Sequence, residues 1–131
     1  MKNKIYKTAV FTIVLISIFS LNCSKGGGDD FFIPIIGAAT WANKDDASNT
    51  FFFFNETANT NTSTFDGNEN PIGGGSQNHF SGSFTNHDIQ FTYDNNSGSK
   101  SGKTYSGTIN DASNVMTLHS NDLGDLVLQK Q

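Results

Sequence analysis

The chain has 131 residues, a formal charge of −4 and a single cysteine. All of its basic residues are lysines, so a nucleic-acid-binding surface with arginine contacts to phosphate is not expected. Asn, Ser, Thr and Gly are abundant, whereas Leu and Ala are scarce after residue 42, and this composition favours strands and turns. A chain of this length accommodates one small domain with a single core.

The first 22 residues have the three-part pattern of a secretory signal peptide. Lys2, Lys4 and Lys7 form a basic start, and an apolar run from Ala9 to Leu21 follows. As a helix this run spans about 20 Å, less than the roughly 30 Å hydrocarbon core of a bilayer. We therefore predict a cleaved helical signal peptide over 1–22 rather than a permanent membrane span. After its removal five lysines face twelve acids, a side-chain balance of −7 that disfavours binding flat on anionic lipid.

The only cysteine, Cys23, directly follows this segment and cannot form an internal disulfide. The segment Ser20-Leu21-Asn22-Cys23 resembles the lipobox of bacterial lipoproteins, in which the cysteine sulfur receives a diacylglycerol and the chain is cut just before it. In that family a Leu usually stands where Ser20 does and a small residue where Asn22 does. The resemblance implies that Cys23 is lipidated and that the protein is anchored by acyl chains in the outer membrane, on its periplasmic or cell-surface side.

Residues 23–36 are predicted to carry the lipidated cysteine and a tether. The stretch from Ser24 to Asp30 is Gly-rich and charged, which is typical of a flexible linker, and its paired acids resemble the surface-export signal of Bacteroidota lipoproteins. The apolar run 31–36 contains Pro34, which excludes a central strand position. This run either packs across one end of the domain, the alternative that we favour, or dips into the membrane beside the anchor.

A pattern that occurs twice defines the expected fold. Residues 80–86 and residues 105–111 each contain an aromatic, a small residue, Gly, a hydroxyl and an apolar residue, and each leads through a polar turn into an apolar strand. This is a repeated β-hairpin. By the two-residue period of a strand, Gly82 and Gly107 face inward, where they permit a sharp bend and create space.

We predict an all-β domain over 37–131, in which successive antiparallel strands form an eight-stranded up-and-down meander that closes into a barrel. A β-sandwich of the same strands is the alternative. The third strand is expected to end at the turn pair Asp66-Gly67, and residues 69–77 to form a loose loop. The strands are expected near residues 39–42, 50–55, 61–66, 78–84, 87–93, 103–110, 114–119 and 124–130.

The rhythm of these strands is similar to that of small lipocalin-like (calycin) bacterial lipoproteins. The similarity covers residues 37–130 and includes a Gly shortly before Trp41, the Tyr-x-Gly-x-Ile of the second hairpin and the Leu-x-Leu near the end. It implies a barrel that either holds one small ligand or is filled by its own side chains.

Motifs for catalysis or metal binding are few. His79, His87 and His119 do not have the spacing of a known metal-ligand motif and are expected to face solvent, and no Gly-x-Ser-x-Gly elbow is present. We therefore expect a protein that is not an enzyme and that uses no cofactor and no metal.

Two functions of different class remain. In the first, the protein binds a small hydrophobic ligand in or at the mouth of the barrel. In the second, it is a structural or protein-interaction lipoprotein, for example an inhibitor, with a filled core. The ligand-binding residues expected for the first are aromatic and face the interior: Phe51, Phe53, Phe80, Phe91 and Tyr105.

Overall fold

The computed structural model describes residues 31–131. The predicted signal peptide, Cys23 and the first part of the predicted tether lie outside these described residues. Within these residues eight strands follow one another in the order of the chain, with a single 3₁₀ turn, Gly98–Lys100, between the fifth and the sixth. They are β1 Thr40–Asn43, β2 Asn49–Phe54, β3 Thr62–Pro71, β4 Asn78–Thr85, β5 Asp88–Tyr93, β6 Thr104–Ile109, β7 Val115–Ser120 and β8 Gly124–Lys130.

The strands form a closed antiparallel barrel. Each strand pairs with the next along the chain, and β8 pairs with β1, where Trp41 lies opposite Lys130. This confirms the predicted all-β fold, an eight-stranded meander compatible with a lipocalin-like barrel, and the β-sandwich alternative was wrong. Closure satisfies the backbone groups that an open sheet would leave at its edges.

Alternation along the strands fills the interior, as expected from the sequence. In the two repeated hairpins, Phe80, Phe84, Ile89 and Phe91 are all buried, and Met116 in the last returning strand is fully buried. The same interior holds Trp41 from β1 and residues from every other strand, so the described chain has one continuous core.

The inward-facing glycines do not leave space, contrary to expectation. A Cβ atom on Gly82 would lie 2.1 Å from the Gln90 carbonyl oxygen and 2.7 Å from the Phe65 ring, and one on Gly107 would lie 1.9 Å from the Thr117 carbonyl oxygen. Neighbouring strands therefore approach so closely at these positions that only glycine fits.

The barrel has two distinct ends. The lead-in end is the end at which the segment Phe31–Ala39 enters β1, and the loops 55–61 and 110–114 lie there. The loop end is opposite and carries the loops 72–77 and 94–103, among others.

The lead-in segment, residues 31–39, packs across one end of the barrel, which is the alternative favoured for residues 31–36. Ile36 is fully buried, and its carbonyl accepts a hydrogen bond from the Trp41 indole nitrogen at 2.9 Å. The Phe32 ring stacks on His87 with 3.9 Å between ring centroids. Phe31 and Ile35 remain exposed. The packing alternative for residues 31–36 therefore describes most of this segment.

The third strand is longer than predicted. No turn forms at Asp66-Gly67; the strand continues to Pro71 and pairs with β2 and β4 along this extra length. The reason is that Gly67 faces inward, where the Phe80 ring covers it and leaves no room for a side chain. As a consequence Glu69, expected in a loop, lies in a strand and faces the interior.

Candidate functional site

The five residues predicted to bind a hydrophobic ligand are brought together in the interior. Each is 6 % exposed or less, and their rings contact one another. The centroids of Phe80 and Phe91 are 4.4 Å apart, those of Phe53 and Phe80 are 5.4 Å apart, and those of Phe91 and Tyr105 are 5.5 Å apart. Phe51 joins them through Phe80, at 6.4 Å. A ligand among these rings remains a prediction.

The most unusual chemical group in the interior is the carboxylate of Glu69, which is 1 % exposed. Alternation along β3 places it on the same face as Phe65 and Gly67, at the loop end of the barrel. A carboxylate without partners would be very costly there, because the interior does not solvate charge. The site is therefore defined by the groups that compensate this charge.

Four side chains donate hydrogen bonds to Glu69. Asn49 Nδ2 lies 2.7 Å from Oε1, Tyr93 OH lies 2.8 Å from Oε2, and Asn78 Nδ2 lies 3.2 Å from Oε2. The Lys100 ammonium lies 2.7 Å from both carboxylate oxygens. The carboxylate thus has an ion pair and three neutral donors, which is the arrangement that makes a buried charge tolerable.

The donors come from two kinds of structure. Asn49, Asn78 and Tyr93 stand on strands β2, β4 and β5, whereas Lys100 stands on the loop that joins β5 to β6. The Lys100 ammonium also lies over the Tyr93 ring, 5.3 Å from its centroid, within the range of a cation–π contact. A positive group at this position therefore meets both a carboxylate and an aromatic face.

The two tyrosines beside Glu69 keep their protons. Burial raises the pKa of Tyr93 far above its usual value, and the charge of Glu69 raises it further. Burial and then Glu69 also raise the pKa of the Tyr105 phenol. Each cause disfavours a phenolate, so Tyr93 acts as a hydrogen-bond donor and not as a base. Tyr93 therefore presents an O–H group to the Glu69 carboxylate, and the cation that the site holds is the Lys100 ammonium.

Sequence reasoning missed Glu69 because Asn68-Glu69-Asn70-Pro71 has the composition of a turn. Its partners lie 9 to 31 positions away along the chain. The one local signal was the period: continuing the alternation of β3 past Gly67 would have placed Glu69 inward.

The three histidines are not part of this site. His87 pairs with Asp111, Nε2 to Oδ1 at 2.8 Å, and His119 pairs with Asp125, Nδ1 to Oδ1 at 2.6 Å. His79 is exposed on β4. Across residues 31–131 no three His, Cys, Asp or Glu side chains converge in a way that would hold a metal ion.

Two concave regions lie on the outer face of the barrel. The first is a groove of about 570 Å³ that follows the outside of the strands around Gly82. Most of its lining is hydroxyl or amide: Asn55, Thr64, Ser81, Ser83, Gln90, Thr92 and Thr104. The second, of about 390 Å³, lies around Gly107 and includes Ser106 and Thr108. Both follow places where strands approach closely at an inward glycine.

Comparison with protein-family models, curated proteins and solved structures gives no significant match. Within the described part of the chain, no helix has the length and apolar character needed to cross a bilayer.

Proposed function

We propose that this protein is a lipid-anchored envelope lipoprotein that works by interaction, using a filled barrel as a rigid body and its outer surface as the contact region. The observation that carries the proposal is the mutual packing of the interior rings. Phe53 alone has four aromatic neighbours, Trp41, Phe65, Phe80 and Phe91, with centroids 5.4 to 6.2 Å away. Rings that contact one another in this way make a core close to the density of protein interiors.

The anchor part of the proposal rests on the lipobox-like segment that ends at Cys23. The eight residue-to-residue steps between Cys23 and Phe31 span at most about 28 Å when fully extended. The chain enters the barrel at the lead-in end, so a lipid on Cys23 would keep that end close to the bilayer surface. Phe31 and Ile35 are 69 % and 65 % exposed at this end, and both side chains are compatible with a lipid surface.

The interaction part of the proposal is supported by the groove around Gly82. Its hydroxyl and amide groups both donate and accept hydrogen bonds, and the groove is built on paired strands that hold these groups in fixed positions. Thr92 Oγ1 and Thr104 Oγ1, 2.7 Å apart, show how adjacent strands align them. The groove also carries the Asp66 carboxylate, which accepts a hydrogen bond from Asn55 Nδ2 at 2.8 Å, so this surface is suited to a partner that presents hydrogen-bonding groups.

Mass spectrometry of the protein from bacterial membranes tests the anchor. We expect a mature chain that begins at Cys23 and carries a diacylglycerol mass on it, and we expect the Cys23→Ser variant to leave the membrane fraction. A chain that retains Met1 and a free thiol would overturn this part of the proposal.

Native mass spectrometry with mixed fatty acids tests the filled barrel. We expect the soluble domain, residues 31–131, to retain none of them, because the interior rings already occupy the space. Retention of one fatty acid per chain, lost in Phe91→Trp, would instead support a hydrophobic ligand in the barrel.

Site-specific photo-crosslinking in the envelope tests the groove. A crosslinker that replaces Ser81, which is exposed in the groove around Gly82, is expected to give a partner adduct, whereas one at Thr117, exposed on the outer face of β7, serves as the matched control. Equal labelling from both positions, or none from Ser81, would contradict the assignment of the groove as the contact region.

A further inference from the structure

The Glu69 site at the loop end has two parts that differ in how firmly they are held. Asn49, Glu69, Asn78 and Tyr93 stand on four different strands of the closed barrel, and their hydrogen bonds fix one another. Lys100 is the one member that a loop supplies. Without its ammonium, the strands would still present a carboxylate, two amides and an aromatic face in the same place.

The tip of this loop is attached only lightly to the barrel. The 3₁₀ turn Gly98–Lys100 contains no buried residue. The base of the loop is held by Ser97, which donates from its hydroxyl to the His79 carbonyl at 2.8 Å, and by the Gly102 amide, which donates to the Tyr93 carbonyl at 2.9 Å. Between these points, the Lys100 side chain is the link from the tip to the barrel interior.

Glycines stand on both sides of Lys100 in a conformation that few other residues adopt. Gly98 has φ of 58° and Gly102 has φ of 72°, and a Cβ atom at either position would meet open space. Glycine is therefore required here by backbone conformation and not by crowding. The Lys100 N–H donates to the Ser97 carbonyl at 3.1 Å, and the Lys100 carbonyl accepts from the Lys103 N–H at 3.0 Å. The main chain of the tip is therefore bonded to the base, and the part that can leave the site is the Lys100 side chain.

The contacts of Lys100 define what the strand-borne part of the site would bind. The ammonium nitrogen lies 2.7 Å from each oxygen of Glu69 and 5.3 Å from the centroid of the Tyr93 ring. Two charge-assisted hydrogen bonds require N–H donors, and the ring favours a positive charge over its face. A primary ammonium meets both requirements, whereas a quaternary ammonium has no N–H to donate.

We propose that the loop end of the barrel is a binding site for a primary alkylammonium group, and that Lys100 is its internal occupant, displaced when a ligand enters. The ligand's nitrogen takes the place of the Lys100 nitrogen, and its first carbons take the place of the lysine stem. The filled core is retained, because the volume exchanged is that of one lysine side chain. The site goes beyond the proposed interaction function and does not depend on the lipid anchor.

Titration of the Lys100→Ala variant with n-butylammonium chloride tests this inference. NMR signals of the Tyr93 ring and calorimetry report binding, which we expect to be one to one. We also expect affinity at least about tenfold higher than in the unmodified protein, since the internal competitor has been removed. Butan-1-ol and tetramethylammonium are expected to bind at least about tenfold more weakly than n-butylammonium, because butan-1-ol has neither the positive charge nor an N–H donor and tetramethylammonium has the charge but no N–H donor.

Matched variants assign the binding to this site. Lys103 is the other lysine in the loop and does not contact Glu69. The Lys103→Ala variant should therefore bind n-butylammonium with the affinity of the unmodified protein. Glu69→Gln combined with Lys100→Ala should lose binding. Nα-acetyl-lysine N-methylamide, tested beside n-butylammonium, separates the two sources of such a group: binding of both indicates that a lysine side chain of a polypeptide fits, and binding of the simple amine alone indicates a free amine.

A folded Lys100→Ala variant whose Tyr93 signals do not respond to n-butylammonium would overturn the inference. If the variant does not fold by itself, it is refolded in n-butylammonium chloride and, separately, in sodium chloride at equal ionic strength. Folding in the amine alone supports the site, and failure in both salts overturns it.

Discussion

The two ends of the barrel are closed by different chemistry. At the lead-in end a main-chain segment crosses the opening and buries Ile36 completely against the core. At the loop end the closing contact is the ion pair between Lys100 and Glu69, whose carboxylate is buried. Burial of apolar surface tolerates small changes in geometry, whereas a buried carboxylate depends on each of its donors. The loop end is therefore the end at which the loss of one donor is expected to weaken the closure most.

A lysine at each end makes the comparison direct. Lys130 Nζ lies 5.2 Å from the centroid of the Trp41 ring and donates to the Ile35 carbonyl at 2.7 Å. Lys100 Nζ lies 5.3 Å from the centroid of the Tyr93 ring and donates to Glu69. The aromatic contact is nearly the same, and the acceptor differs. A difference between the losses of stability on replacing the two lysines therefore reports mainly on the contribution of the buried carboxylate.

The largest effect is expected from Lys100→Met, which leaves the Glu69 carboxylate buried with no countercharge. We expect the free energy of unfolding, measured by urea denaturation, to fall by about 3 kcal/mol. Adding Glu69→Gln to the same variant removes the uncompensated charge and should restore at least about half of that loss. A loss below about 1 kcal/mol in the single variant would show that the ion pair does not hold the loop end.

The next effect is expected at the lead-in end from Ile36→Ala, which removes a fully buried side chain. Loss of apolar burial and the resulting cavity should lower the free energy of unfolding by about 2 to 3 kcal/mol. Ile35→Ala is the matched control, because its side chain is 65 % exposed and should change stability by less than about 0.5 kcal/mol. Equal effects at the two positions would mean that the segment does not close the barrel through Ile36.

A smaller effect is expected from Lys130→Met, the counterpart of Lys100→Met. The variant loses a cation–π contact and one hydrogen bond to a backbone carbonyl, and no charge is left without a partner. The free energy of unfolding should fall by about 1 kcal/mol or less. Burial lowers the pKa of Lys130, which means that the ammonium loses hydration in the folded protein. This loss offsets part of the stabilisation from its contacts with Trp41 and the Ile35 carbonyl. A loss as large as that of Lys100→Met would remove the distinction between the ends.

The sequence was sufficient for the barrel because the fold rests on a local regularity. Every second residue of the two hairpins is apolar or glycine, so the period predicts which side chains face the interior. Polar turns separate the strands and predict where each strand ends. Strand ends were close to those observed except in β3. There Asp66-Gly67 has the composition of a turn, whereas in the structure Gly67 serves close packing against the Phe80 ring.

The Glu69 site could not be derived in the same way. Burial of an acid is decided by donors on other strands and on a loop, and no local pattern announces that Asn49, Asn78, Tyr93 and Lys100 will converge. The aromatic residues assigned to a ligand site were correctly placed in the interior. Whether rings line a space or fill it depends on three-dimensional packing, which the two-residue period does not specify.

The smallest effect is expected from an exposed ion pair at the loop end, which contrasts with the buried pair there. His119 and Asp125 lie on neighbouring strands, with side chains 63 % and 83 % exposed. The hydrogen bond to Asp125 raises the pKa of His119 above its ordinary value of 6.5. A histidine with a raised folded-state pKa contributes stability that is fully present below about pH 6.5 and is lost as the pH rises through the folded value.

An NMR titration of the His119 imidazole measures this pair directly. We expect a pKa above 6.5 in the unmodified protein and a shift back toward that value in Asp125→Asn, whereas Asp122→Asn, which removes a nearby acid outside the pair, should leave the titration unchanged. Stability at pH 5 and at pH 8 should differ little between the variants, because solvent screens an exposed pair. A pKa that does not respond to Asp125→Asn would show that the contact is not maintained in solution. The carboxylate at Glu69 would then be the one acid at this end whose pairing burial enforces.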